Sequence, residues 1–99
     1  MSKIIDITDK LAFDENPVIK IKDIELEINT EAENMIKIMA LTSETPGPKE
    51  IVEMCRLVFT EESVEKLKAL QLKFNDYVDV VMTAISVASG SYDESESGE

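Results

Sequence analysis

Four pairs of closely spaced carboxylates are the side chains in this sequence best able to do chemistry: Glu25 with Glu27, Glu31 with Glu33, Glu61 with Glu62, and Asp76 with Asp79. Two neighbouring carboxylates can share acid and base roles or hold a divalent cation. Their setting here argues for neither. No pair sits in a calcium-loop pattern or a glycine-rich turn, and a chain with 21 acidic residues produces such pairs by chance. They read as solvated faces. Cys55 is the single cysteine, so it has no disulfide partner within the chain. It lies in the apolar run from Ile51 to Phe59, which suits a small buried hydrophobe. A catalytic thiol needs a base beside it, and the chain has no histidine to serve. Gly47 stands alone, so there is no phosphate-cradling loop. The expectation is a protein that is not an enzyme, with no catalytic residues, no cofactor and no metal ligands.

The charge balance points the same way. Ten basic residues against 21 acidic ones give a formal charge of -11. Nucleic-acid and anionic membrane surfaces are bound mainly through Lys and Arg, and the basic residues here are few and scattered. Neither nucleic acid nor membrane is an expected partner. A basic protein surface is compatible with this charge. No apolar run approaches the roughly 20 residues of a membrane span, and the first residues lack the long apolar region of a signal peptide. A cytoplasmic setting is the default.

The elements that must position any surface can be read from periodicity. Ninety-nine residues suit one domain, here 1–90, followed by a tail, 91–99, that carries four acids and no base. The tail has no aliphatic anchor and reads as disordered. Its role is open: a solubility tail, a contact for a basic partner, or the junction of a longer product. At the other end, Lys3 to Ile7 is a short apolar run, either a strand or an arm that docks on the domain. Residues 17–29 alternate apolar and charged side chains. A two-residue turn at Lys22-Asp23 would pair Ile21 with Ile24 and Ile19 with Leu26, putting all the isoleucines and the leucine on one face.

Helices follow. Thr30 and Glu33 have capping-box spacing, with Ala32, Met35, Ile36, Met39 and Ala40 as the apolar stripe of a helix ending near Leu41. Thr42 to Pro48 is a proline- and glycine-broken loop. Pro48 suits the first turn of a second helix, with Ile51, Val52, Cys55, Val58 and Phe59 inward and Met54 and Leu57 widening the stripe. Thr60 is an N-cap with acids in the next turn, and Val64, Leu67 and Leu70 face inward. The longest helix carries Phe74, Tyr77, Val78, Val81, Ala84, Ile85 and Ala88 and stops at Gly90. Its small-residue end (Thr83, Ala84, Ser86, Ala88, Ser89) hints at self-association. The fold class is therefore α+β: an N-terminal β-hairpin packed on about four helices.

The methionines are the residues with a second use. Beyond Met1, they are Met35, Met39, Met54 and Met82, all on expected helices. Methionine fills core gaps, and it also lines surfaces that accept varied apolar partners. Core filling is the simpler role in a domain with no tryptophan. For an exposed partner-binding patch, the candidates are the Met35/Met39 face and the Met54/Leu57 side.

The ordered plan resembles the tail assembly chaperones of long-tailed, siphovirus-type bacteriophages of Gram-positive hosts. Four parts carry the likeness. They are the hairpin Ile19-Lys20-Ile21-Lys22-Asp23-Ile24-Glu25-Leu26-Glu27-Ile28-Asn29, the helices broken by a proline- and glycine-containing loop, the stretch Leu57-Val58-Phe59-Thr60-Glu61-Glu62-Ser63-Val64-Glu65-Lys66-Leu67 leading into Leu70-Gln71-Leu72-Lys73-Phe74-Asn75-Asp76-Tyr77, and the helix Val78–Ile85 with Gly90 before an acidic tail. The likeness covers most of the chain by pattern, without an invariant motif. It implies a non-enzymatic protein that binds the apolar tape measure protein, and in some settings the major tail protein, in the host cytoplasm. Such proteins are absent from the finished virion, and many have a longer form made by ribosomal frameshifting. A different class is also compatible with the composition: a small acidic regulator or inhibitor of the DNA-mimic type, occupying a basic surface.

Overall fold

The computed structural model of the chain describes residues 3–11, 15–43 and 45–91. It is α+β. A short 3-10 turn at Thr8–Lys10 precedes strands β1 (Val18–Ile21) and β2 (Ile24–Glu27). Four helices follow: α1 (Ala32–Leu41), α2 (Pro48–Val58), α3 (Glu61–Leu70) and α4 (Phe74–Ser89). The acidic tail beyond Ser91 lies outside the described residues.

The hairpin has the register its alternation requires. Ile21 opposes Ile24, and Ile19 opposes Leu26. Lys22, the first turn residue, takes a φ of 56°. Positive φ at that position matches the right-handed twist of the flanking strands. Leu26 and Ile28 are fully buried, while Ile19, Ile21 and Ile24 pack at the core margin. A two-stranded hairpin is unstable alone in water, so it needs anchors, and two are visible. Ile28 forms a bridge with Phe59, flanked by bonds from the Asn29 N–H to the Val58 carbonyl (2.7 Å) and the Thr60 N–H to the Glu27 carbonyl (3.2 Å). The second anchor is Ser63, whose buried hydroxyl accepts the Glu27 N–H at 2.7 Å and the Thr60 hydroxyl at 3.0 Å.

Some helix ends are those the spacing foretells, among them Thr60, Pro48 and Gly90. Thr60 caps α3, accepting the Ser63 N–H at 3.3 Å. The Glu50 carboxylate accepts the Gly47 N–H at 3.0 Å, closing the start of α2, which opens on Pro48. Gln71 ends α3 in the left-handed conformation, and Gly90 does so for α4. The Thr30–Glu33 capping box does not form. Asn29 is held extended against the end of α2, and its side chain accepts the Glu31 N–H at 3.0 Å. Thr30 instead donates its hydroxyl to the Asn16 amide oxygen at 3.0 Å. Glu31, without a side-chain cap bond, stands at the N-cap of α1.

The core lies where α2 meets α1, α3 and α4, with the hairpin across α3. Ile51, Met54, Cys55 and Val58 of α2 point into it at three- and four-residue spacing. They meet Ile38 of α1, Val64 and Leu67 of α3, and Val81 and Ala84 of α4. Among the described residues, no helix is long and apolar enough to cross a membrane.

Candidate partner-binding surface

The orientation of α1 decides which apolar residues are free. The spacing of Ala32, Met35, Ile36, Met39 and Ala40 places that stripe inward. The structure turns the helix otherwise. Its inward residue is Ile38, 1 % exposed, flanked by half-buried Met35 and Leu41. Asn34 also faces the body, donating its amide to the Leu57 carbonyl near the end of α2 at 3.0 Å. This bond is consistent with the rotation that buries Ile38, and it gives the partly buried Asn34 amide a partner. Ile36 and Met39 are consequently 64 % and 65 % exposed, with Ala32 and Ala40 exposed beside them. Residues 32, 36, 39 and 40 lie on one side of a helix. The result is a continuous apolar stripe on the surface of α1, flanked by Glu33 and Lys37.

The four candidate residues therefore separate. Met39 is on the surface. Met35 is half-buried on the flank of α1 that meets the core. Leu57 is half-buried and packs against the core. Met54 is fully buried and is not part of any binding surface. It sits three residues after Ile51 and four before Val58, in the middle of the packed face of α2. Ile36, the other half of the exposed stripe, was hidden by its hydrophobicity, which the spacing assigned to the core. Two further residues expected inward are exposed. Val52 lies off the packed face of α2, and Phe74, 61 % exposed, opens α4. Met82 is also exposed on α4.

The groups that could do chemistry are placed as solvated or packed side chains. Glu25 and Glu27 lie on the open face of the hairpin, and Glu27 accepts the Asn16 amide at 2.8 Å. Glu62 pairs with Lys66 at 3.7 Å and Glu65 with Lys68 at 3.5 Å, both exposed pairs of small energetic weight. Among the described residues, no group of three or more carboxylate, thiol or imidazole side chains could hold a metal ion. A surface depression of about 540 Å³ is lined by Asn29, Arg56, Thr60, Glu61, Glu65 and Lys68 among others. Its rim mixes both signs of charge.

Cys55 is buried, as its apolar setting requires, with the Tyr77 hydroxyl beside it. Burial pushes the thiol pKa up, outweighing the opposing hydrogen bond from Tyr77 and the nearby Arg56 and Lys68 charges. Burial, with the thiol's help, pushes the Tyr77 hydroxyl up as well. Both groups are thus held neutral, the opposite of an activated nucleophile.

Comparison with protein-family models, with curated proteins and with solved structures finds no match to this chain.

Proposed function

We propose that this chain is a non-enzymatic tail assembly chaperone of a long-tailed bacteriophage, which holds apolar helical segments of the tape measure protein in solution during tail assembly. The observation that carries the reading is the uncovered Ala32–Ile36–Met39–Ala40 stripe of α1 on a strongly acidic chain. An amphipathic client helix recognises such a stripe through its own residues at three- and four-residue spacing. The net charge of -11 keeps the complex apart from other complexes. The setting that follows is the host cytoplasm, with the protein left out of the finished virion. The major tail protein is a second partner in this scheme.

The test is fluorescence anisotropy with a labelled apolar helical segment of the tape measure protein, read from low to high salt. Binding that survives high salt and is lost in Ile36→Glu supports the proposal. The absence of binding to any such segment overturns it. A ligand that is instead a basic protein, released steeply by salt, assigns the chain to the acidic-inhibitor class.

A further inference from the structure

The chain carries a second uncovered apolar surface. Ile4 and Ile5 are 90 % and 70 % exposed, and Ile7 and Leu11 are about half exposed. This segment has local order of its own. Thr8 donates its backbone N–H to the Asp6 carboxylate at 2.9 Å, and the Lys10 N–H reaches the Ile7 carbonyl at 2.9 Å. Its aliphatic side chains are nonetheless left in water by the domain that follows. Every copy of the protein thus presents an apolar arm and an apolar helix stripe, each lacking cover.

Charge says which surfaces of two copies can meet. Two chains of net charge -11 repel over most of their area. The arm and the stripe are the exceptions. In the arm, Lys3 and Lys10 balance Asp6 and Asp9; along α1, Lys37 stands against Glu33 and the N-cap Glu31, leaving one net negative charge. A neutral arm meets this stripe with little like-charge penalty.

We infer that two copies exchange arms, with Ile4, Ile5, Ile7 and Leu11 of one copy covering Ile36 and Met39 on α1 of the other. Reciprocal exchange closes the pair, whereas a head-to-tail contact would continue into filaments. At on the order of 100 Å² for each aliphatic side chain, the two contacts together remove on the order of 1,000 Å² from water, the lower end of specific interfaces. The pair is therefore reversible and concentration-dependent. The inference stands apart from the client reading. Where both hold, a client helix and the arm compete for one stripe, so the stripe is covered when no client is present.

The test is sedimentation equilibrium of the full chain over a wide concentration range. Two double variants are compared with the natural chain: Ile4→Asp with Ile5→Asp, and Ile36→Glu with Met39→Glu. All four side chains are exposed, so melting followed by circular dichroism should match the natural chain in both. The expected result is a reversible dimer for the natural chain, weakened at least about tenfold in each variant. A natural chain that stays monomeric, or a dimer that either variant leaves unweakened, would overturn the exchange. Client binding by the arm variant, whose stripe is intact, tests the proposed function separately.

Discussion

Ile36 and Ile38 are two residues apart on one helix and differ in almost nothing but direction. Ile38 is 1 % exposed at the centre of the core, and Ile36 is 64 % exposed on the stripe. Truncating Ile38 to alanine removes the buried side chain's transfer energy and leaves a cavity, a loss of about 2–5 kcal/mol. Alanine's better helix propensity returns roughly 0.4 kcal/mol of that. For a domain of this size each kcal/mol shifts the melting temperature by about 4–8 °C, so Ile38→Ala should melt roughly 10–30 °C below the natural chain. Ile36→Ala leaves no cavity. Propensity favours it, and its net effect should fall within about 0.5 kcal/mol of zero. Urea denaturation of both variants, with unchanged slope and a midpoint shift only for Ile38→Ala, is the expected pattern. A reversed pattern, with Ile36→Ala destabilising and Ile38→Ala near neutral, would mean that α1 is rotated as its hydrophobic spacing suggests. The exposed stripe would then not exist, and the proposed client site and the arm exchange would fall with it.

Three further outcomes follow from local contacts. Ser63→Ala removes the acceptor of the Glu27 N–H and leaves that donor partly buried; the expected loss is about 1–3 kcal/mol in urea denaturation, and a neutral result would show that α3 does not anchor the hairpin through this hydroxyl. Gln71→Gly relieves the left-handed conformation at φ 52° and should stabilise the protein by about 1 kcal/mol, read as a higher urea midpoint, whereas a loss would show that the Gln71 side chain matters more than its backbone. Stability should also fall as pH rises through the alkaline range. The folded state raises the Cys55 pKa, so the unfolded chain loses its thiol proton first, near pH about 8.5; the stabilisation is complete below that pH and is lost as pH climbs towards the folded value. Tyr77 adds the same sign at higher pH. Cys55→Val should flatten the first part of this dependence in pH-stepped urea melts, and an unchanged profile would mean that the thiol does not contribute to it.

The hairpin was legible because two periodicities agreed. Alternation in each strand and a two-residue turn together allow a single register for Ile19, Ile21, Ile24 and Leu26, and the structure has it. The Thr60 cap and the Gly90 stop were legible from local chemistry, and Ile51, Cys55, Val58 and Phe59 from their spacing, while Val52 and Met54 exchange the sides that the spacing suggests. What could not be read depends on contacts between distant residues. The expected Thr30 cap of α1 is replaced by an Asn29 side chain that accepts the N–H of the N-cap residue Glu31, with Asn29 itself tied to Val58 across the fold. Ser63 looks like an ordinary polar residue in a helix's first turn until β2 is laid against it. Met54 was named as a surface candidate because α2 is apolar on more than one side, and only its neighbours decide which side is outside.

Helix α1 buries a different side from the one its spacing suggests. A helix with one apolar face states its own orientation. Here Met35, Ile38 and Leu41 form one apolar side, and Ala32, Ile36, Met39 and Ala40 form another. The second is the better continuous stripe, yet the first is buried. Ile38 enters the core with Met35 and Leu41 at its margin, and Asn34, four residues before Ile38 on the same side, donates its amide to the Leu57 carbonyl. Apolar packing and this bond favour the same rotation. A sequence under selection for folding alone gains nothing from placing isoleucine and methionine on the side that faces outward. Lysine or glutamate there would keep the helix and improve solubility. The surplus of hydrophobicity over what the core uses is concentrated on α1 and in the Ile4–Ile5 arm, and these are the surfaces on which the proposed client site and arm exchange rest.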